Sequence, residues 1–424
     1  MISQANARRA FGLTSIIYDS RYRSYLIQAV VLFGFVALVL WLGYNAEANL
    51  AAKGRTFDFG FLWRRAGYDI GQTLIPFTND DSHFRALLVG LLNTLVLAFA
   101  SCVLATILGV MIGVLRLSKN WLINRLMAIY IELFRNVPLL LWIVLTYVIL
   151  IEFSPQPGAY KVTDEMVAAG TVPAAHMGFF STTALTTRGL NLPAVIFKHP
   201  LPDISIGTTT FNPTWLFLTF VALMAVLAAQ AIFAKAARVQ DATGKRPATP
   251  WLVIPIVIGY VVVFVWALEA SLDVPVLRGF NFVGGWSIPH SFSAMLIALS
   301  LYTAAFIAEI VRAGIQSVSH GQTEAAGALG LRPGRVIRLV VLPQALRVII
   351  PPLISQYLNI TKNTSLGIAA SYTDLRGTLG GVTLVQTGKE LECMLLMMAI
   401  YLSISLLTAV TINIYNSSIA LKER

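Results

Sequence analysis

The sequence predicts an all-α fold, a polytopic transmembrane bundle of about eight helices. Hydrophobic residues make up 57% of the 424 residues and charged residues only 12%, a balance that soluble multidomain proteins do not reach. Mean hydropathy over the chain is +0.73. Apolar runs close to the ~20 residues that cross a bilayer recur, and none alternates like a strand of a membrane barrel. The spans are therefore predicted to be helices.

The apolar runs give these elements in order, and the charges between them give their direction. Helices are predicted at residues 26–44, 86–115, 122–151, 214–236, 251–269, 292–316, 345–361 and 391–416. The cations that flank them gather on one side of the membrane: Arg21, Arg23, Arg116, Lys119, Arg125, Lys235, Arg238, Lys245, Arg246, Arg332, Arg335 and Arg338. By the positive-inside rule both termini are cytoplasmic, the C-terminus ending in Lys422 and Arg424.

The segments 45–85 and 153–213 then face the other side, and 153–213 is long enough to form a small structured cap. Topology also explains the net charge of +11, so a nucleic-acid partner is not indicated.

The loop between the sixth and seventh predicted helices carries the most distinctive pattern. Ser319 and Gln322 have the spacing of a capping box, and Gly330 is placed to end the short helix that follows. Such a helix is marginal alone in water, so a partner is expected to hold it. The small residues Ala325 and Ala326 would let a partner's backbone approach closely.

Two predicted spans each contain a glutamate followed three residues later by an arginine. Glu132 and Arg135 are predicted to form a structural ion pair, because a lone charge at membrane depth is costly, and Pro138 should kink the helix just beyond. Glu309 has Arg312 at the same spacing. Earlier in the chain, Gly109 and Gly113 form a Gly-xxx-Gly face that favours close helix packing.

A polar stretch interrupts the run that begins at Ala345. Lys362, Asn363, Thr364 and Ser365 are costly in a membrane unless they line water or a ligand, so they are candidates for a translocation path, together with Glu309. Lys362 is the candidate reader of a zwitterion's carboxylate. The alternative is that the stretch is an outer helix end from which Lys362 reaches the lipid headgroups.

Several kinds of chemistry have no motif in the sequence. No Gly-x-x-x-x-Gly-Lys-Ser/Thr loop for nucleotide phosphates occurs, and the histidines have no metal-ligand spacing. No catalytic residues, metal site or bound cofactor are predicted, and the chain is not expected to be an enzyme. A secondary carrier or channel without an ATPase remains the alternative to a transport subunit driven by one.

Four segments together carry a family resemblance. Glu324, Ala325, Ala326 and Gly330, closed by Val340-Val341-Leu342-Pro343, resemble the coupling loop of ABC-transporter permeases. The stretches 90–95, 132–140 and 362–366 are similar to those of the polar amino-acid permeases of bacterial ABC importers, the histidine and glutamine permease type. The chain departs from the pattern at Val340, usually Ile, and at Asn136-Val137, usually Gly-Thr. A permease of this length resembles those of the general L-amino-acid importers.

The resemblance implies a type I importer architecture in four parts. Residues 1–85 would hold a cytoplasmic tail, an extra helix and a periplasmic loop, and 86–151 the first part of the permease core. Residues 152–291 would be an insertion with a periplasmic segment and two helices. The second part of the core, 292–424, would contain the coupling loop 319–343.

The resemblance also implies a function and partners. The chain would be a multi-pass permease subunit of the bacterial inner membrane that imports amino acids by alternating access. A cytoplasmic ATPase dimer would use ATP and Mg, a second and different permease would pair with this one, and a periplasmic binding protein would deliver the substrate. The implied contacts with the ATPase are Glu324, Ala325, Ala326, Gly330, Leu342 and Pro343.

Overall fold

The computed structural model describes residues 20–162, 168, 172–206, 209–244 and 249–419. The predicted cytoplasmic tail before residue 20, the loop cations Lys245 and Arg246, and the terminal Lys422 and Arg424 lie outside these ranges. The orientation of the termini therefore stays a prediction from sequence.

Long helices dominate the described residues. They are α1 Ser20–Ala52, α2 His83–Leu115, α3 Trp121–Asn136, α4 Leu139–Glu152, α5 Thr214–Thr243, α6 Thr249–Ala267, α7 His290–Gln316, α8 His320–Ala328, α9 Leu342–Asn363 and α10 Glu390–Ile419. Shorter helical segments are the 3₁₀ turns Gly60–Trp63, Pro157–Tyr160 and Thr364–Ala370, the α turns Pro333–Val336 and Leu384–Thr387, and the π-helical segments Ile337–Val341 and Arg376–Thr383.

Six of the described helical segments are long and apolar enough to cross a membrane, and the bent pair α3–α4 would make a seventh. The predicted all-α membrane fold is confirmed, and the predicted count of about eight is close to this number. Seven of the eight predicted runs each fall on one helix, including the run at 251–269, which falls on α6.

One predicted helix, 122–151, is divided into α3 and α4, whose axes differ by 105°. The break falls at Val137 and Pro138. Val137 has extended backbone angles, φ −104° and ψ 132°, as expected of a residue that precedes proline. The kink predicted at Pro138 is thus confirmed, and it is sharp enough to end one helix and begin another.

The core of the bundle is the parallel pair α2 and α7. A Cβ added to Gly109 would lie 2.6 Å from the side chain of Ile307, and one added to Gly113 would lie 2.7 Å from Ala308 O. The two backbones therefore approach as closely as glycine allows, which confirms the packing role predicted for these glycines. At the inner end, Gly314 of α7 packs in the same way against Ile349 of α9.

The insertion between α4 and α7 carries short antiparallel strands, and five of them lie in the described part of the segment 153–213. The strands are β1 Ala184–Thr186, β2 Gly189–Leu192, β3 Ala194–Phe197, β4 Ile204–Ile206, β5 Thr209–Phe211, β6 Ala270–Asp273, β7 Val276–Arg278, β8 Asn281–Val283 and β9 Trp286–Ile288. The pairings are β1-β2-β9, β3-β6, β4-β5 and β7-β8. Strand β9 leads into α7, where His290 Nε2 lies 2.6 Å from Thr186 O.

The segment between α1 and α2 folds over the start of α10. Phe61 is buried against Leu375 and Leu379. Lys389, just before α10, pairs with Asp58 at 2.5 Å and with the buried Glu392 at 3.3 Å. This segment therefore joins the extra helix α1 to the remainder of the bundle.

Candidate functional site

The predicted coupling loop contains a short helix, α8, only three residues beyond the end of α7. Its predicted capping box is not formed. Ser319 makes no side-chain bond to the helix, and the backbone closes the first turn instead, with Gln322 N donating to Ser319 O at 3.1 Å. The predicted stop is confirmed, because Gly330 adopts a left-handed conformation at φ +77°.

Most of the surface of α8 is free of contacts within the described chain. Ala326 is buried, whereas Glu324 and Ala325 are exposed and Leu329 is 82% exposed. A Cβ added to Gly327 would meet no atom within 4 Å. The returning turns at 333–341 pack against α8, so the loop folds as one projecting unit with a smooth outer face. Leu342 and Pro343, where α9 begins, are exposed as well.

The inner half of α7 carries an ion pair. Arg312 Nε donates to both carboxylate oxygens of Glu309 at 3.1 Å, and Nη2 donates to the same carboxylate. Arg135 and Arg116 add further electrostatic attraction to Glu309. The Glu309 carboxylate is therefore already neutralised within the subunit, and its surroundings are cationic.

The predicted ion pair between Glu132 and Arg135 is wrong. Glu132 Oε2 instead accepts a hydrogen bond from Asn136 Nδ2 at 3.2 Å, and the Arg135 guanidinium lies 5.4 Å from the ring centre of Phe306. Both side chains are exposed. Arg135 of α3 therefore contacts the aromatic ring of Phe306 on α7 instead of the Glu132 carboxylate.

The polar stretch after α9 divides into a buried and an exposed part. Thr364 is fully buried and donates to Thr361 O at 2.8 Å, and Asn363 and Ser365 are half-buried. Lys362 is exposed, and its ammonium makes no ion pair with any described residue. Arg376 Nη1 donates to Ser365 O at 3.3 Å, which places a second cation beside this stretch. Sequence analysis did not single out Arg376.

The backbone that follows is irregular. A 3₁₀ turn covers Thr364–Ala370, Ser371 is left-handed at φ 55°, and a π-helical segment covers Arg376–Thr383. Irregular backbone between membrane spans is tolerated where protein buries it or where it lines a cavity. A cavity of about 470 Å³ lies beside this segment and is lined by Ser371, Thr373 and Gly377 among others.

A buried polar network fixes the irregular segment, and sequence analysis missed its centre, Asp374. This fully buried carboxylate accepts from Gly377 N at 2.8 Å and from the Tyr401 hydroxyl at 3.2 Å. Burial raises the pKa of Asp374 to about 6. The sequence did contain a signal for Asp374: an acidic residue three positions before Gly377, at the start of a helical turn, is a capping pattern.

The start of α2 completes this network. Asn93 Nδ2 donates to Thr373 O at 2.9 Å, and the Tyr372 hydroxyl donates to Asn93 O at 2.8 Å. Thr94 Oγ1 accepts from Leu375 N at 3.0 Å. Asn93 and Thr94 therefore join the start of α2 to the irregular segment.

The structure does not bring the candidate path residues together. Tyr357 of α9, five residues before Lys362, shares a 2.7 Å hydrogen bond with Thr106 of α2, and Leu366, just after the stretch, packs in one cluster with Leu97. Glu309 follows Ala308, whose carbonyl oxygen lies against Gly113. The polar stretch therefore lies about halfway along α2 and the Glu309–Arg312 pair nearer its inner end, roughly 15 Å away at 1.5 Å per residue.

Comparison with known proteins gives two kinds of match. The family described as binding-protein-dependent transport system inner membrane component matches residues 247–420. The glutamate/glutamine/aspartate/asparagine transport system permease protein BztB of Rhodobacter capsulatus is 56% identical over 425 residues, 98% of each chain. The general L-amino acid transport system permease protein AapQ of Rhizobium johnstonii is 42% identical over 417 residues, 98% of this chain and 96% of the relative.

These two relatives match along their whole lengths, so the likeness includes α1 and the strand-bearing insertion as well as the bundle. The membrane-spanning helices agree with a multi-pass protein of the inner membrane. The chain therefore belongs to the permease subunits of the bacterial amino-acid ABC transporters.

Proposed function

We propose that this chain forms one half of the transmembrane path of an ABC importer for amino acids and is driven by a separate ATPase that binds the 319–343 loop. The observation that carries the proposal is the outer face of α8. Its small exposed side chains lie on a helix in which, within the described part of the chain, Ala326 is buried and Thr323 half-buried. A helix of this length needs a partner to hold it, and a smooth face allows a close fit.

The residues proposed to contact the ATPase are those expected from the resemblance: Glu324, Ala325, Ala326, Gly330, Leu342 and Pro343. ATP and Mg would bind to the ATPase dimer, since this sequence has no phosphate-binding loop. We propose that this chain binds no cofactor. A periplasmic binding protein would deliver the substrate, and a second, related permease would complete the path.

The proposed substrates are L-amino acids, including the acidic ones and their amides that the name of BztB records. Lys362 and Arg376 are two exposed cations beside the polar stretch, and a cation is the complement of the carboxylate that every amino acid carries. Asn363, Thr364 and Ser365 would contribute polar contacts there. Glu309 is proposed to act near the inner end, with its charge balanced by Arg312.

The proposed division of the chain follows the expected boundaries. Residues 86–151 and 292–424 would form the permease core, with 1–85 and 152–291 as additions at its edge. Motion would pass from α8 into α7 and, through the close contact of Gly314 with Ile349, into α9. The irregular segment at the outer end of α9 is a suitable place for the path to open and close.

Glu324→Lys tests the proposal in the complex reconstituted into liposomes with its ATPase and binding protein. We expect ATP-driven uptake of labelled glutamate to fall at least tenfold, about 1.4 kcal/mol of coupling, because the reversed charge lies at the docking face. Assembly would be checked by co-purification of the ATPase. Glu152→Lys, an exposed reversal at the other end of the bundle, is the matched control and should leave uptake unchanged.

Two results would contradict the proposal. One is full uptake by the Glu324→Lys complex at normal assembly. The other is accumulation of amino acid by this chain alone, with no nucleotide-hydrolysing subunit present, which would favour a secondary carrier.

A further inference from the structure

A crevice at the outer end of α1 lies outside the site described above. It opens between α1, the residues that follow α1 and the first turns of α10, and its volume is about 550 Å³. Its apolar lining consists of Gly43, Ala46, Leu50, Ala51, Phe57, Leu391 and Leu395. A second cavity of about 540 Å³ adjoins it and shares Leu50, Arg55 and Leu391.

The depth of the crevice matches the boundary between hydrocarbon and headgroups. The apolar part of α1 runs from Leu26 to Leu42, about 25 Å of helix, which is close to the thickness of the hydrocarbon core. Trp41 and Tyr44 are exposed at its outer end, where aromatic belts form. The crevice begins at Gly43, just beyond this run.

The two helices that form the walls of the crevice, α1 and α10, both expose apolar surface that lipid can contact. None of the best apolar stretch of α1 is buried within the described part of the protein. Leu391 and Leu395 on α10 are likewise 36% and 45% exposed. The small residues Gly43 and Ala46 line the crevice, and most of its other lining is apolar, as an acyl chain requires.

Charged groups without ion-pair partners line the crevice and its neighbour. Glu47 and Arg55 line the first cavity, and Lys53 and Glu390 line the second. Arg55 Nη1 donates to Gly388 O at 3.1 Å, which leaves the other donors of the guanidinium open. None of these four side chains forms an ion pair with a described residue, whereas the nearby Lys389 is paired twice.

We propose that this crevice binds one zwitterionic phospholipid of the outer leaflet, of the phosphatidylethanolamine type. Its phosphate is held by Arg55 and Lys53, and its ammonium by Glu47. An acyl chain lies between the small residues of α1 and Leu395. The lipid thus fills the space that separates the extra helix from the bundle.

The charges favour this lipid over an anionic one. A headgroup with phosphate and ammonium complements both signs of charge in the crevice. A headgroup with phosphate alone leaves Glu47 without a partner and facing a second anion, which costs free energy near an apolar surface.

The test uses the purified full-length permease in its assembled complex, stripped of endogenous lipid in mild detergent. Deuterated phosphatidylethanolamine and deuterated phosphatidylglycerol are titrated separately in mixed micelles, and bound lipid is counted by native mass spectrometry. We expect one tightly held phosphatidylethanolamine per permease. Arg55→Gln should weaken it about tenfold, the effect of losing one charge-assisted hydrogen bond, and Glu47→Gln should abolish the preference over phosphatidylglycerol.

Glu152→Gln and Lys161→Gln remove exposed charges elsewhere on the outer side and should change neither affinity nor preference. Circular dichroism of each variant verifies folding. Equal retention of the two lipids by the wild-type protein would overturn the proposal. So would unchanged binding in both crevice variants, or a cross-link from Leu395→Cys to a neighbouring subunit in place of bound lipid.

Discussion

At the scale of single residues, Asp374 connects the irregular segment to the bundle. Its carboxylate caps the turn at Gly377 and accepts from Tyr401 on α10, and no water-exposed surface remains on the side chain. It lies between the last two membrane spans. Burial penalises the charged form, so the folded protein favours the neutral carboxyl and raises its pKa to about 6.

Asp374 gives a prediction about pH. The pKa is about 6 when folded and 3.8 ordinarily, so lowering the pH through 6 and toward 4 stabilises the folded state, by on the order of 3 kcal/mol at most. Asp374→Asn keeps an acceptor for Gly377 N and is always neutral. We expect this variant to unfold at a higher temperature than wild type near pH 7 and to lack this pH dependence.

The measurement is thermal unfolding of the purified complex between about pH 4 and pH 7. Asp80→Asn, at an exposed carboxylate of the outer segment, is the control and should keep the wild-type profile. Identical profiles for wild type and Asp374→Asn would show that folding does not shift the pKa of this carboxyl.

At the scale of elements, the contact between α2 and α7 depends on two glycines. The Cβ of any other residue at Gly109 would come within 2.6 Å of Ile307, a distance that real side chains do not reach. Since α7 leads into α8, the position of α8 depends on this contact. The sequence predicts a close helix crossing at these glycines, because small residues four apart on a helix allow one, but it does not identify α7 as the partner.

Gly109→Ala should therefore lower thermal stability by about 1–3 kcal/mol, the usual cost of overpacking, even though alanine is the better helix former. Gly34→Ala is the matched control, because a Cβ there meets no atom within 4 Å. We expect the control to equal or exceed wild type in the same unfolding assay. A Gly109→Ala protein as stable as the Gly34→Ala control would mean that α2 and α7 are further apart.

Sequence reasoning at this scale succeeds where local chemistry decides the outcome. Pro138 removes a backbone donor and excludes the preceding residue from helical geometry, so the break was predictable. The Glu132–Arg135 pair failed because Phe306, from a helix distant in sequence, offers Arg135 another partner. Arg376 was missed because its partner Ser365 becomes a neighbour only after folding. The cap of Asp374 on Gly377 is local and could have been predicted, but its bond with Tyr401 could not.

At the scale of the whole molecule, α8 lies beyond the inner end of α7, whereas the polar stretch lies about halfway along α2. A buried cluster that includes Ile307 of α7 and Ile349 and Ile360 of α9 connects the two regions. If Lys362 senses the substrate, its effect has to cross this distance to reach the ATPase. A change at Lys362 can therefore be tested by measuring ATP hydrolysis at the ATPase.

We expect Lys362→Ala to raise about tenfold the substrate concentration that half-stimulates ATP hydrolysis by the assembled complex, the effect of one lost charge-assisted hydrogen bond. The assay uses liposomes with the binding protein and L-glutamate. Lys161→Ala, an exposed lysine of the insertion, serves as control. Unchanged stimulation in Lys362→Ala would assign Lys362 to the lipid headgroups.

The short connection between α7 and α8 limits how such a subunit moves. Only Ser317, Val318 and Ser319 separate the two helices, and a fully extended chain of that length reaches about 10 Å. Ser317 is still bonded to Ala313 O, so little of that length is slack. A pull on the projecting helix cannot be absorbed in the linker. The membrane helices should therefore respond to the first ångströms by which α8 is displaced. We expect that a longer linker would uncouple the permease from its ATPase without disturbing the fold of either protein.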